Sequence, residues 1–164
     1  MELIELFDNK RRPLNITRER YVKENGEYAQ TMHIWIRNSK GEFLLQKRSM
    51  NKKNFPGDWS ITGGGVDSGE TTLDAAIREC KEELGIDIDI NKTELILTIR
   101  TKYNNFNDVY LVTQDFDIND LILQKEEVDE VKWASLEEID ELYKNHEFSP
   151  PPSFYYEQFK KIIF

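Results

Sequence analysis

The stretch GGGVDSGETTLDAAIRECKEELGI, residues 63–86, joins a glycine-rich segment to a strongly patterned run. The pattern predicts a helix from about Thr72 to Leu84 that ends at Gly85, because glycine readily adopts the left-handed conformation that terminates helices. At the helical period, one arc collects the apolar residues Leu73, Ala76, Ile77, Cys80 and Leu84. We expect this arc to pack against a sheet.

A second arc of the same helix gathers acidic residues. Glu79, Glu82 and Glu83 are three and four residues apart, so their carboxylates share one face. Each like-charged pair would cost an isolated helix about 0.2–0.5 kcal/mol, and Lys81 points away from the cluster. Mg²⁺ prefers oxygen ligands and commonly binds carboxylates together with substrate phosphates. The cluster therefore predicts a magnesium site.

The glycine-dense segment before the helix, TGGGVDSGE (62–70), is predicted to be a loop. Glycines let a backbone approach a ligand closely and leave carbonyls and amides free to bind it. By itself the segment fits equally well a tight strand-to-helix turn with no ligand.

Composition narrows the class of protein. A chain of 164 residues is most simply one domain, spanning 1–164, and its formal charge of −9 argues against duplex nucleic acid or an anionic membrane as the main partner. The single cysteine, Cys80, excludes an intrachain disulfide and is interpreted as a small buried apolar residue. No segment has the features of a signal peptide or a membrane span, so we expect a cytoplasmic protein.

Alternating hydrophobicity predicts several strands. MHIWIRN (32–38) places Met32, Ile34 and Ile36 on one face and His33, Trp35 and Arg37 on the other. EFLLQKR (42–48) is its expected partner across the turn NSKG. TELILTIRTKY (93–103) and DVYLVTQDF (108–116) form a predicted second pair around the turn NNFN, and EVDEVKWASL (127–136) holds a last short strand.

Two further helices complete the predicted architecture. SLEEIDELYKN (135–145) opens with a capping box from Ser135 to Glu138. A third helix is expected after Ser149 and three prolines, with Tyr155, Phe159 and Ile162 on its apolar face. Helices between and after strands predict an α/β fold in which a mixed sheet is sandwiched between helices.

The residues around the acidic helix resemble the Nudix box. Gly64 is followed after five residues by Glu70, and seven residues later by RECKEELGI, residues 78–86. Cys80 stands where a bulkier aliphatic residue is usual in that family. The resemblance implies a Nudix fold and metal-dependent cleavage of a diphosphate linked to another group.

The resemblance also implies roles for single residues. Glu79, Glu82 and Glu83 would bind Mg²⁺, or Mn²⁺ in its place, with the carbonyl of Gly63 or Gly64 as a further ligand. Arg78 would orient the carboxylates through charge-assisted hydrogen bonds. Glu70 would support the loop and the helix rather than bind the first metal ion.

A further acid from a later loop is expected as base or ligand. QKEEVDEVKW (124–133) offers Glu126, Glu127 and Glu130. We favour Glu127, by its distance before Trp133. A solvated acidic loop is an equally good interpretation of each of these glutamates.

Candidate substrate-binding residues are harder to select. Lys47 and Arg48 are cations that would hold phosphate, and Trp35 has an aromatic face on which a base would stack. Further candidates are Arg18, Arg20, Lys52, Lys53, Tyr103, Phe106 and Tyr110. Surface solvation for the cations, and core packing for the aromatics, are the competing interpretations.

Outside the box, the chain resembles one branch of the family. IWIRNSKGEFLLQKRS (34–49), KKNFPGDWSITGGG (52–65) and FSPPPSF (148–154) resemble the isopentenyl-diphosphate isomerases and related hydrolases. After Trp59 the chain reads SITGGGV and lacks the cysteine and histidine that the isomerases need there.

We therefore predict a Mg²⁺-dependent hydrolase that acts on a nucleoside diphosphate derivative or a related small diphosphate. An isopentenyl-diphosphate isomerase-like enzyme and a non-catalytic nucleotide-binding Nudix module are the alternatives. The oligomeric state is left open, with a homodimer as one option.

Overall fold

A computed structural model describes residues 2–164. The nine strands among these residues are β1 Leu3–Phe7, β2 Pro13–Glu19, β3 Ala29–Arg37, β4 Phe43–Arg48, β5 Trp59–Ser60, β6 Thr62–Gly65, β7 Thr93–Arg100, β8 Asn105–Thr113 and β9 Val128–Ala134. The α-helices are α1 Thr72–Leu84, α2 Leu136–Lys144, α3 Pro150–Ser153 and α4 Tyr156–Ile163. None of the helices in this part of the chain has the length and apolar composition that a membrane span requires.

Seven of the strands form one mixed sheet with the main order β5-β4-β3-β8-β7. The pairing of β3 with β8 is parallel, and the other pairings are antiparallel. β3 and β4 meet only where Arg37 pairs with Phe43 and then diverge. β5 and β6 follow each other into this fork, β5 pairing with β4 and β6 with β3.

The sheet carries a separate apolar core on each face. Met32, Ile34 and Ile36 pack with Ala76, Cys80 and Leu84 of α1 on one face. Trp35, Phe43 and Leu45 pack on the other face with Ile139 of α2 and with Tyr156 and Phe159 of α4. The predicted α/β architecture, a mixed sheet between helices, and the predicted division of β3 between two faces are confirmed.

Several predicted boundaries are wrong. The glycine segment is not a loop at its start, because Gly63, Gly64 and Gly65 form β6 in register with β3. β4 has its long pairing with β9 rather than with β3. Most of the predicted turn NNFN belongs to β8. The chain therefore reverses direction a few residues earlier than predicted, at 101–104.

The predicted third helix is two helices. Ser149 precedes α3, but Tyr155 has φ −121° and ψ 6°, so the helix stops there and restarts as α4. This break shifts the phase of the apolar face. Phe159 is buried as predicted, whereas Ile162 is 53% exposed and Ile163 takes the inward position.

A two-stranded hairpin, β1–β2, precedes the main sheet and was not predicted. Polar bonds attach it to the rest of the chain. Arg11, in the hairpin turn, donates two hydrogen bonds of 2.8 and 2.7 Å to the buried carboxylate of Asp108. Arg20 forms an ion pair with Asp67, which precedes α1.

Asp108 is the centre of a buried polar network. Thr72 and Thr98 donate hydroxyl hydrogen bonds of 2.6 and 2.7 Å to its carboxylate, in addition to the bonds from Arg11. Burial raises the pKa of Asp108, but the bonds from Arg11, Thr72 and Thr98 outweigh this effect and hold the pKa below its ordinary value. The network joins the hairpin, β7, β8 and the first turn of α1.

Candidate active site

Helix α1 is fixed at both ends, which positions its acidic residues. At the start, the Thr71 side chain accepts from the Asp74 amide, and the Asp74 side chain accepts from the Thr71 amide. At the end, Gly85 adopts a left-handed conformation with φ 69°. The predicted range Thr72–Leu84 is confirmed.

The three glutamates of α1 lie in different surroundings. Glu79 and Glu83 are buried, with relative exposures of 9% and 6%, and face β6 and β4. The side chain of Glu82 is 51% exposed. The carboxylates predicted to share one face therefore differ in exposure, because the sheet edge covers two of them.

Arg78 connects the acidic residues to one another. Its guanidinium donates to Glu70 at 2.6 Å, to Glu79 at 2.8 Å and to Glu82 at 3.4 Å. It also donates to the carbonyl of Gly65 at 3.3 Å. The hydrogen bond to Glu70, followed by the hydrogen bond to Glu79 and the charge of Glu79, raises the pKa of Arg78. The guanidinium thus has the contacts that an orienting residue requires, and Glu70 lies on its far side.

Glu83 carries a buried carboxyl group that has no ion pair within residues 2–164. Burial raises its pKa to about 8, against a hydrogen bond from Gln46 that acts in the opposite direction. The Gln46 amide donates to Glu83 Oε2 at 2.8 Å. The negative charges of Glu79 and Glu127 also favour the protonated form.

Gly64 lies where β6 passes the carboxylate of Glu79. A Cβ atom at Gly64 would be 2.8 Å from Glu79 Oε1 and 3.0 Å from its Cδ. Only glycine therefore allows this approach without a shift of the glutamate. The part of Gly64 as a carbonyl ligand stays a prediction.

We expect Gly64→Ala to weaken divalent-metal binding by about 10–100-fold, the range seen when groups that support metal ligands are lost. The new methyl group would displace Glu79 from its contact with Arg78. Isothermal titration with Mn²⁺ measures the effect. Gly41→Ala is the matched control, since Gly41 has φ +82° in a turn with open space around it. It should lower stability without changing Mn²⁺ affinity, and equal affinities in the two variants would contradict the expectation.

Among the three later glutamates, the structure brings Glu127 to the site. Its charge acts on Glu83, and its carboxylate accepts from Lys52 at 2.6 Å. Glu130 pairs in register with Lys47 on the exposed β9 edge, and Glu126 lies in the exposed turn before β9. The preference for Glu127 agrees with this geometry, while its chemical role stays a prediction.

The candidate substrate-binding residues separate by face of the sheet. Arg48 shares the face of Gln46, and its charge opposes the rise in the pKa of Glu83 that burial causes. Lys47 points to the other face, where its ammonium lies 5.9 Å from the Trp59 ring. Only Arg48 of this pair therefore faces the glutamates.

The prediction that Trp35 contacts substrate is wrong. Trp35 is fully buried, its ring stacks on Phe159 at 4.2 Å, and its indole donates to the Tyr155 hydroxyl at 3.0 Å. Alternation identified its face correctly, but α4 covers that face. Of the other aromatic candidates, Phe106 and Tyr110 are buried and Tyr103 is exposed.

The remaining cations are mostly engaged. Arg18 pairs with Glu27 at 2.8 Å, and Lys52 is held by Glu127. Arg20 is held by Asp67 and lies against Gly65. Sequence patterns did not predict these pairings, because they are set by the folded chain, and two of them join residues 47 and 75 positions apart.

The residues present fit a hard divalent cation, although residues 2–164 contain no preformed group of three His, Cys, Asp or Glu side chains able to hold a metal. Within the described chain, Glu79 Oε2 and Glu83 Oε1 have no hydrogen-bond donor. Glu79 and Glu83 are both buried, and Arg78 pairs with Glu79 but not with Glu83, so the ionised form of Glu83 has no ion-paired cation in the described chain to balance it. Oxygen ligands of this kind suit Mg²⁺, and the half-exposed Glu82 is free to turn towards the other two.

His33 belongs to a polar network behind the site. Its Nδ1 lies 2.8 Å from the Tyr155 hydroxyl and 3.3 Å from the Asn107 amide. Burial lowers the pKa of His33 to about 4. The imidazole is therefore neutral at pH 7, and its Nδ1 is engaged by Tyr155 rather than by a ligand.

Acidification is expected to destabilise the protein through His33. Because its folded pKa of about 4 lies below the ordinary value of 6.5, the stability that it contributes is complete above pH 6.5 and is lost as the pH falls towards 4. The wild type should lose about 1–2 kcal/mol relative to His33→Gln between pH 7.5 and pH 5. Urea unfolding of both proteins at both pH values measures this difference. A constant difference would contradict it.

The NUDIX domain model matches residues 27–155. An uncharacterised Nudix hydrolase of Listeria innocua is 34% identical over 155 residues, covering 92% of this chain and 89% of that protein. An isopentenyl-diphosphate Delta-isomerase of Salmonella heidelberg is 36% identical over 90 residues, covering 53% of this chain and 49% of that enzyme. This match agrees with the predicted branch.

A solved structure has a similar fold. The crystal structure of DR0079 from Deinococcus radiodurans superposes with a TM-score of 0.79 at 22% identity, covering 98% of this chain and 99% of that one. Its likeness extends over the N-terminal hairpin, which lies outside the matched domain. The acidic helix, the glycine strand beside it and the matched domain together make this chain a member of the Nudix hydrolase family, enzymes that cleave pyrophosphate bonds.

Proposed function

We propose that the protein is a Mg²⁺-dependent hydrolase that cleaves the diphosphate linkage of a nucleoside diphosphate derivative or a related small diphosphate. The observation that carries this proposal is the buried Glu83 carboxyl group, which lies beside Glu79, is reached by the charge of Glu127 and has no ion pair in the described chain. Such a group is costly to fold unless a cation completes it. Family membership supports the reaction class.

Each residue of the site has a part in the proposed reaction. Glu79, Glu82 and Glu83 would hold the metal, which when bound neutralises the diphosphate and makes water a better nucleophile. Glu127 would accept a proton from the attacking water molecule while the oxygen of that water bonds to phosphorus. The anhydride P–O bond then breaks, and the leaving phosphate keeps the electron pair. Arg48 would hold phosphate oxygens, and Arg78 would orient Glu79 and Glu82.

Prenyl diphosphates belong among the substrates to be tested, because part of the chain resembles an isopentenyl-diphosphate isomerase. Isomerisation itself is disfavoured. Cys80 is fully buried on the core side of α1, and burial raises the pKa of its thiol. His33 is bonded to Tyr155, and no other cysteine exists in the sequence.

The unpaired Cys80 suits the reducing cytoplasm, where we place the protein as a single domain over residues 1–164. Its formal charge of −9 favours small substrates over duplex nucleic acid. A local metal ion reverses the field at the site.

A phosphate-release screen with Mg²⁺ tests the proposal. The compounds are nucleoside di- and triphosphates, nucleotide sugars, dinucleotides and prenyl diphosphates, with product analysis for the last group. We expect turnover of at least one of these compounds and its loss in Glu82→Gln. Binding of a nucleotide without turnover, unchanged in Glu82→Gln, would instead identify a non-catalytic binding module.

A further inference from the structure

Two buried polar side chains occupy the fork where β3 and β4 diverge. Gln46 projects from β4, and Thr62 projects from β6 at the point where the β5–β6 segment changes its partner from β4 to β3. Both face α1, and both are almost completely excluded from solvent. Burial of polar side chains costs free energy unless they are hydrogen-bonded, and apolar residues would avoid this cost. The presence of a polar pair at this position therefore calls for an explanation.

The pair forms a directed chain of hydrogen bonds that ends on Glu83. The Thr62 hydroxyl donates to Gln46 Oε1 at 2.9 Å, and Gln46 Nε2 donates to Glu83 Oε2 at 2.8 Å. When Glu83 is ionised, as binding a cation requires, its carboxylate only accepts, so the amide nitrogen of Gln46 must face Glu83 and the amide oxygen must face Thr62. The Thr62 hydroxyl then supplies the donor that the amide oxygen needs and so stabilises this orientation of the amide.

Cys80 is a neighbour of this chain of hydrogen bonds on α1. It lies one turn before Glu83 on α1 and is fully buried, and the Thr62 hydroxyl acts to lower the pKa of its thiol against the larger effect of burial. The departure from the usual box residue thus lies near Thr62.

We propose that Gln46 is a positioning residue for Glu83 and that Thr62 sets the orientation of Gln46. The bond to Oε2 leaves Oε1, which has no donor within the described residues, as the oxygen that faces the metal. This inference rests on the proposed part of Glu83 as a metal ligand. Groups that orient metal ligands typically change metal affinity or activity by about 10–100-fold when removed.

Four variants separate positioning from packing. Gln46→Leu removes the donor at similar volume, and Thr62→Val removes the hydroxyl while keeping the shape of the side chain. Thr62→Ser keeps the hydroxyl and removes a methyl group. Ser60→Ala is the control, because Ser60 is also a buried hydroxyl at this strand junction but bonds only to the carbonyl of Ile61.

Mn²⁺ binding, followed by electron paramagnetic resonance without substrate, is the primary readout. We expect the dissociation constant to rise about 10–100-fold in Gln46→Leu. In Thr62→Val it should rise about 2–10-fold, the equivalent of one hydrogen bond. Thr62→Ser and Ser60→Ala should bind like the wild type. With an active substrate, Gln46→Leu and Thr62→Val should lower kcat and leave KM constant.

A purely structural role predicts a different order. Thr62→Ser, which leaves a small void, would then be at least as impaired as Thr62→Val, and Mn²⁺ affinity would follow thermal stability across all four variants. That result, or unchanged affinity in Thr62→Val, would overturn the inference. If Gln46→Leu does not fold, the two Thr62 variants decide. Because the Mn²⁺ titration needs no substrate, absence of turnover would count against the proposed function alone.

Discussion

Glu83→Gln is expected to lower kcat by more than about 100-fold, beyond the range of groups that merely orient a ligand. Glutamine keeps the shape of the side chain and its contact with Gln46 but removes the charge that binds the cation. The same change should stabilise the metal-free protein at high pH. The variant would then be inactive while being better folded than the wild type, a combination that simple misfolding does not produce.

The direction of the stability effect follows from the pKa. Burial raises the folded pKa of Glu83 from its ordinary 4.5 to about 8, so folding favours the protonated acid. The stability that this group contributes is complete below pH 4.5 and is lost as the pH rises to 8. We expect the metal-free wild type to lose about 3–5 kcal/mol relative to Glu83→Gln across this window. Added Mg²⁺ should restore the loss, because it binds the charged form.

Urea unfolding with a chelator, at pH 5 and pH 8.5, measures the loss of stability. Turnover assays measure the fall in kcat of Glu83→Gln. The difference between the two proteins is the relevant quantity, since His33 titrates in the opposite direction over part of the range. Glu141→Gln, an exposed glutamate of α2, is the control and should change neither quantity. Turnover above half of the wild-type rate in Glu83→Gln would contradict the assignment.

Asp108→Ala is expected to lower the free energy of unfolding by about 3–5 kcal/mol, as when one partner of a buried ion pair is removed. The change leaves Arg11 without its carboxylate and takes the acceptor from the hydroxyls of Thr72 and Thr98. Asp108→Asn, which keeps an acceptor but not the charge, should lie between this variant and the wild type.

Chemical denaturation at pH 7 measures the loss. Asp87→Ala is the control, because Asp87 is 86% exposed and pairs only with the exposed Lys81, so its removal should cost less than about 0.5 kcal/mol. Below the unfolding transition, Asp108→Ala should keep the Mn²⁺ affinity of the wild type. A cost below about 1 kcal/mol would show that the network is not a main attachment of the hairpin.

Helix α1 was predictable because its signals are local. Gly85 marks its end, and the apolar arc with Cys80 and Leu84 identifies the buried side. The alternation of β3 was local in the same sense and divided Met32 from Trp35 correctly. These features depend on residues within a few positions of one another, and tertiary packing did not override them.

The features that were predicted wrongly or missed depend on contacts between distant parts of the chain. The sequence cannot show that α4 covers Trp35, or that β6 and Gln46 bury two glutamates of an otherwise polar arc. The hairpin β1–β2 gives little signal, because β2 is largely exposed and its apolar contact, Leu14 against Ile4 and Leu6, is small, while Arg11 attaches the hairpin to a residue far along the chain. The apolar phase of α4 was displaced by the non-helical Tyr155.

The pairing of residues 62–65 with β3 has a consequence for redesign. A backbone that is locked into a sheet on one side and packed against a helix on the other cannot adapt to ligands of different size. Discrimination between substrates would then fall to segments without sheet pairing of their own, such as 49–58, which the bond from Lys52 to Glu127 places beside the site. Exchanging these segments for those of a relative should retarget the enzyme while its hydrolytic machinery stays in place.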